Sequence, residues 1–559
     1  MFCSLKFACH PDLSDNRVEN MIKTLLLILL VGVPEAGGVL FLTGASSLEE
    51  LDESTMERFE SLRLHPVPIN CCSRSRLLSC GLFTRFQVAS LLDYRSRSGD
   101  VLSFTELAAV DGFGERYADA LREFVSLEGS AANPSSRRFR QDMMVRGAFR
   151  KPEESLEYSA GVKYHAEYGG RVEFNWSDRT TYSSPEPGFG TINLTCFGKR
   201  LPGKVILGDY NARFGQGLLF WSGFSMSGVS SAGALARNGT ALSASRSFSS
   251  SLHGIAADMN AGKYMFSLAY DRGRRVLTNV SREGKVWQVG ITGVWNRDHP
   301  AFSADWRVGF RGGATYGEIA VDGGTAAVVA GAFVIPRYGS MLAALVRAYP
   351  ESYVGTSAGA VRSGSKVSDE YGASLAAQNE WGLITLDAAW HPSKETAYGK
   401  VLAQFKREWK LSAASVCPAL RLSGRASGKT GGSKASLRGD VRADLNVTCG
   451  PWSVSGRFNA VGSVGWGWLW YAEAGYRAAG EKPVGISAYL RGEQYRIDNW
   501  DDRIYVYERD APGNFNVPAY YGRGWNLSLV VAAKYRKHSL HLRFSTLKKE
   551  LKIQYSLSL

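Results

Sequence analysis

From Gln141 to Leu559 the chain alternates apolar and polar residues in runs of about ten, again and again. In the last run Leu551, Ile553, Tyr555, Leu557 and Leu559 share one face, and Lys552, Gln554, Ser556 and Ser558 share the other. Leu540, Leu542 and Phe544 alternate with His541, Arg543 and Ser545. Val441, Ala443, Leu445 and Val447 alternate with Arg442, Asp444, Asn446 and Thr448. Val172, Phe174 and Trp176 alternate with Arg171, Glu173 and Asn175. Side chains of a strand point to opposite faces in turn, so each run predicts a strand with one apolar and one polar face.

A soluble sandwich or propeller also alternates, and three features separate a membrane barrel from it. Runs such as Val484 to Ile497 and Tyr398 to Trp409 are long, where soluble strands average about 5–6 residues and membrane-crossing strands need roughly 9–11. Tyr and Trp gather near run ends, as in Trp466 to Tyr471 and at Trp500, as interfacial girdles do. The chain also ends on an amphipathic strand of the kind the barrel-assembly machinery recognises, although it closes on Leu559 rather than Phe or Trp. The predicted fold is mainly β: a large transmembrane antiparallel barrel over residues 138–559, of about 16–22 strands at one strand per roughly 20 residues. An even count places both barrel termini in the periplasm, with anything N-terminal beneath the barrel.

Residues 48–128 read differently, as short helices and turns, and no Trp occurs before Trp176. Ser54 and Glu57 fit a capping box. Val88, Leu91 and Leu92 share one helical face, and Tyr117, Leu121, Phe124 and Val125 supply another. From Ile69 to Leu127 the order of Ile69-Asn70, Leu77 to Gly81, Ala89 to Gly99, Phe104 to Leu107 and Val110 to Gly114 resembles the paired helix-hairpin-helix module of ComEA-type DNA-uptake proteins. The resemblance implies an all-α domain whose hairpin glycines can offer backbone N–H groups to a nucleic-acid phosphate. Gly112, Phe113 and Gly114 form the hairpin that keeps both glycines. At Gly81 the second glycine is replaced by Phe83. The alternative is a scaffold or protein-docking module that keeps the hairpins for packing.

A second interruption runs from 208 to 251. Ten of the 27 residues from Ser225 to Ser251 are Ser, a composition unsuited to a lipid-facing strand. It predicts a mobile external loop or an inward-folded plug, with Asp209, Tyr210, Arg213, Gln216, Arg237 and Arg246 as candidate residues and the arginines facing water. The order Gly208-Asp209-Tyr210, Phe214 to Leu218, Trp221 resembles a signature of large Bacteroidota outer-membrane proteins that join this hairpin module to a barrel.

Charge sharpens the division. The whole chain carries +14, but Gly37 to Ser130 holds nine Arg, no Lys and 14 acids, a net −5, and residues 1–36 carry −1, which leaves +20 on Ala131 to Leu559. Phosphate binding rests on cationic neutralisation, so the module's charge opposes DNA binding. The apolar core Leu25 to Val33 after Lys23 is too short to span a bilayer and reads as a secretory signal over 21–38, with a small-residue cleavage zone at Ala36 to Gly38. The alternative is an anchor continuing through Val39 to Leu42. Residues 1–20 read as preceding the true start at Met21, and 129–137 as a linker. Cys71, Cys72, Cys80, Cys196, Cys417 and Cys449 show no metal spacing, and no cofactor or metal is expected. His538 and His541 lie on opposite faces of a strand, and no HExxH, GxSxG or P-loop occurs, so no catalytic residues are assigned. The expected role is a channel or docking platform for a polar or anionic partner in the outer-membrane lipid. A periplasmic protein partner is a further expectation, and a DNA-uptake component the alternative.

Overall fold

The computed structural model describes residues 37–129 and 139–559, apart from short segments at 153–154, 184–185, 187, 189, 199–202, 224–227, 236, 238, 240, 247–251, 297–298, 337–338, 413, 431, 433–434 and 479–483. The signal core and most of the linker lie outside the described residues. The alternating runs form one closed antiparallel barrel of 24 strands, with Phe139–Arg150 zipped to Glu550–Ser558. The count exceeds the expected range because many turns are only two or three residues, as at Gly323-Gly324 and Gly450-Pro451, so each strand uses less chain.

The alternation sorts the two faces as expected, and inside out relative to a soluble protein. Along Tyr264–Asp271 the side chains of Tyr264, Phe266, Leu268 and Tyr270 are exposed outward, and Ser267 and Asp271 are buried inward. Outward Ile255, Ile291, Val346 and Leu375 are more than half exposed, whereas inward Asn279, Thr292, Glu318, Ser374 and Thr385 are almost completely buried. Only a hydrocarbon surround makes such an outer face favourable. Exposed aromatics collect at both ends. Tyr168, Trp381, Trp409, Trp452 and Tyr535 lie at one end, and Tyr158, Trp295, Trp466, Trp500 and Tyr521 at the other.

The two ends differ. Both barrel termini and most of the tight turns lie at one end, including Gly262-Lys263 and Arg536-Lys537. The other end carries the long connections 180–190, 214–251, 350–369 and 498–521.

The N-terminal region is a compact helical body. Its main helices are Gly37–Thr43, Glu53–Leu64, Arg74–Ser79, Arg85–Ser98, Phe104–Ala109 and Gly114–Leu121. Phe59, Ile69, Leu77, Val88, Leu91, Val101, Leu107, Leu121 and Phe124 fill its core. A short parallel pairing of Val67–Pro68 with Val125–Ser126 ties its ends together. The helix expected to begin with a Ser54–Glu57 box begins two residues earlier. Asp52 is its N-cap and accepts from the Thr55 N–H, because an aspartate two residues upstream reaches the free amide before Ser54 can.

Candidate functional site

The helical body lies inside the barrel, not beneath it. Its 48–64 segment is acidic and the inward wall opposite is basic. Glu49 accepts from Arg457 at 2.5 Å and from Arg442 at 3.2 Å. Glu50 accepts from Arg421 at 2.7 Å, and Arg421 also donates to Ser47 Oγ at 3.1 Å. Glu53 faces Arg179 at 3.5 Å and Glu57 faces Lys163 at 3.0 Å. Closer to the short-turn end the signs reverse. Arg74 pairs with Glu283, Arg76 with Glu167 at 2.6 Å, and Arg85 donates to Ser281 at 2.5 Å. His65 meets Asp142 at 2.5 Å, and Arg116 donates to the Gly339 carbonyl at 3.1 Å. These partners are spread around the barrel circumference. The charge split explains the location: a negative body and a wall with surplus cations attract, and pairing within the lumen satisfies inward charges that would otherwise be buried alone.

The environment tunes the acids. Burial pushes the Glu49 carboxyl up, but the Arg457 and Arg442 guanidinium groups outweigh it and hold Glu49 well below the usual range. Among the described residues no cation pairs with Glu60. Burial pushes it up to about 7, only partly opposed by the Gly513 N–H that it accepts from.

Two long connections fold inward over the body. The carboxylate of Glu318, on the wall strand Gly313–Asp322, accepts from the N–H groups of Gln216, Leu218 and Leu219 at 2.7, 3.0 and 3.3 Å. Trp221 N–H donates to the Ser357 carbonyl, and Tyr353 Oη to the Leu218 carbonyl, which joins the 214–251 and 350–369 connections. The interruption expected from 208 begins only at 214, because Gly203–Arg213 pairs as a wall strand with Leu252–Ala261; Asp209, Tyr210 and Arg213 are therefore wall residues, with Tyr210 fully buried and Asp209 accepting from Ile192 N–H at 2.6 Å. The three arginines expected to face water are engaged instead. Arg213 donates to the Ser222 carbonyl and Arg237 to the Gly359 carbonyl, both beside the Trp221 ring. Arg246 donates to Ser61 Oγ at 2.6 Å and to Glu173 at 3.2 Å, so it clamps the loop to the helical body.

The hairpin glycines have separate fates. Gly81, Gly112 and Gly114 all have positive φ, at 70, 88 and 70°. A side chain on Gly81 would strike Arg58, so that turn is closed off. Asp111, Gly112 and Glu115 are exposed near the short-turn mouth, and Phe113 between them is buried against Phe83 and Tyr117.

Sequence reasoning missed a serine–histidine pair. Ser363 Oγ lies 2.9 Å from His391 Nε2, and His391 Nδ1 lies 2.8 Å from the Asp369 carbonyl. The Ser363 and Gly364 N–H groups, which an oxyanion would need, both donate to Glu370. Glu370 and Asp387 in turn hold the fully buried Arg347 at 2.5 and 2.9 Å, so the cluster ties the 350–369 connection to the wall. Cys417 and Cys449 lie on paired strands three residues out of register, with Cys417 opposite Asn446. Among the described residues no group of His, Cys, Asp and Glu is arranged to hold a metal.

No protein-family model matches the chain, and no curated protein matches it. Among solved structures it is similar to the P pilus usher (PapC) translocation pore, at 11% identity and a TM-score of 0.36 over 75% of this chain and 98% of that one. It is also similar to OccK8 (OprE) of Pseudomonas aeruginosa, at 10% identity and 0.28 over 75% and 98%. OccAB4 of Acinetobacter baumannii follows at 6% and 0.27 over 76% and 100%. Overlaps of this degree say nothing of what the present barrel carries.

Proposed function

We propose that the protein is a gated passage of the outer membrane for a polar or anionic cargo, and that its N-terminal helix-hairpin-helix module is the gate. The short-turn end with both barrel termini is the periplasmic end, and the long connections face outside. The carrying observation is the set of ion pairs between module and wall, Glu49 with Arg457 and Arg442, Glu50 with Arg421, and Glu57 with Lys163. These hold a separately folded body in the lumen by charge rather than by continuous chain. A charge-held plug can leave when its partners are replaced, and the module joins the wall at the periplasmic rim, so it can swing out on that side. The exposed turn Asp111 to Glu115 is then the handle for a periplasmic protein partner. Its flanking acids and the lack of lysine in the module weigh against duplex DNA as that partner. The Ser363–His391 pair gives no support to an acyl-transfer role, since the N–H groups beside Ser363 are already taken by Glu370.

Planar-bilayer recording tests this. The full chain is expected to be silent. A variant lacking 45–128, checked for barrel folding by its heat-dependent gel shift, is expected to conduct anions in preference to cations. Silence from both would leave a docking platform as the better account.

A further inference from the structure

The wall beside Glu49 and Glu50 carries more positive charge than the module neutralises. Five residues occupy directly opposed inward positions on adjacent strands. Lys400 of Thr396–Lys406 lies opposite Arg425 of Ala414–Lys429, and Arg425 lies opposite Arg438 of Ala435–Cys449. Four residues further toward the periplasm Arg421 lies opposite Arg442, with Arg457 of Trp452–Gly462 next to them, opposite Asp444. Opposed side chains of a sheet stand about 5 Å apart, and like charges in that relation repel. Two rows of cations stacked this way need anions between them.

The lower row has them. Asp444 and Glu49 bridge Arg442 and Arg457, and Glu50 takes Arg421. The upper row does not. Arg438 donates to the carbonyls of Asp501 and Arg503, and among the described residues neither Lys400 nor Arg425 has an ion pair; the nearby wall acids are Asp440 and Asp387, and Asp387, opposite Lys400, is held by Arg347. Arg425 is exposed toward the outer mouth. An anion entering from outside therefore meets Lys400 and Arg425 first, and the module's glutamates hold the next places.

Resting on the reading of the lumen as a passage, we propose that this double row is a binding site for an acidic polypeptide segment entering from outside. Glu49 and Glu50 are the chain's own stand-ins for that segment's carboxylates. The class follows from the occupants: the arginines already hold side-chain carboxylates that hang from a polypeptide backbone. The ligand takes the upper row, displaces Glu49 and Glu50 from the lower, and so loosens the module.

The test uses the full chain in lipid nanodiscs and a fluorescent peptide of residues 46–60, read by anisotropy. Replacing Glu49 and Glu50 together by Gln is expected to tighten peptide binding by about tenfold or more, because it empties the lower row. Arg425→Gln breaks no ion pair of the closed state and is expected to weaken binding by about tenfold. Binding is expected to fall with rising salt and to vanish for a peptide with Gln at every acidic position. Equal binding by the Gln peptide, or no effect of Arg425→Gln, would overturn the site. Tighter binding of polyphosphate or duplex DNA than of the peptide would overturn the ligand class. Anisotropy needs no conductance, so specific binding to a barrel that stays silent in every form would remove the passage and leave the site standing.

Discussion

Asn70 is fully buried, and its side chain serves three backbone groups: it donates to the carbonyls of Val101 and Leu127 and accepts from Val101 N–H at 2.9 Å. Asn70→Ala leaves all three unmatched in the module core, and the expected loss is about 2–4 kcal/mol of module stability. Faster proteolysis of the 48–128 region in an intact barrel is the readout. Glu60 gives a pH dependence. Its docked carboxyl titrates near 7 rather than at the ordinary 4.5, so between those values the docked state binds more protons than the released one. Docking is therefore expected to be strongest below about pH 4.5 on this account and to weaken as pH rises through 7, where a charge must stay buried. The groups around it are Glu57, raised in the same sense, and Lys163 and Arg63, which oppose. Hydrogen exchange in the helix Glu53–Leu64 at pH 5 and pH 8 measures the effect, and Glu60→Gln should flatten it. Asn70 stood out in the sequence only as part of a family-like turn. Its bonding and the titration of Glu60 both depend on residues far along the chain, and no local pattern encodes them.

At the level of elements, strands were legible and helix starts less so. Period-two alternation survives because every strand has lipid on one side and polar matter on the other. The helix caps were harder. Thr84 and Gln87 form a full capping box that fits the same sequence rule as Ser54 and Glu57, yet the latter pair drew the reading while Asp52 does the capping. The two glycines of the second hairpin also separate. A methyl at Gly112 would meet the Phe86 ring at 2.8 Å, while nothing lies within 4 Å at Gly114. Both adopt positive φ, so Gly112→Ala is expected to destabilise the module by more than Gly114→Ala, by about 1 kcal/mol or more. Paired thermal melts of the two variants decide it. In the wall, Arg347→Ala strands two buried carboxylates, Glu370 and Asp387, and is expected to cost about 3–5 kcal/mol. A lowered temperature for the heat-dependent gel shift would register that loss.

For the whole molecule, the separation of charge between the first third and the rest was readable, but its meaning was not. Composition shows that two parts are opposite in sign. It does not show that one lies inside the other, because that requires knowing which wall residues face inward at the same height. The Ser-rich segment illustrates the same limit. It folds inward, but it lies over a lumen that the module already fills and clamps to it through Arg246. Deleting 225–251 alone is therefore expected to leave bilayers silent, whereas a variant lacking both that segment and the module is expected to conduct more than one lacking the module alone. Current from the loop deletion by itself would show that the module is not the main barrier.

The pairing of the first and last strands has a consequence for how the molecule is made. The module leaves the ribosome before any strand of the wall, and Glu550–Ser558 after all the other wall strands, so the cylinder is sealed only once its final strand has been exported. Strands rich in inward arginine must meet side by side before that seal, as Arg421 and Arg442 do. A folded acidic body already present when those strands meet supplies counterions around which they gather. In the gated passage proposed above, the module would then act as a mandrel during biogenesis before it serves as the stopper. Barrels lacking it should accumulate more slowly in pulse-chase experiments, and Glu49→Gln with Glu50→Gln should reproduce part of that delay.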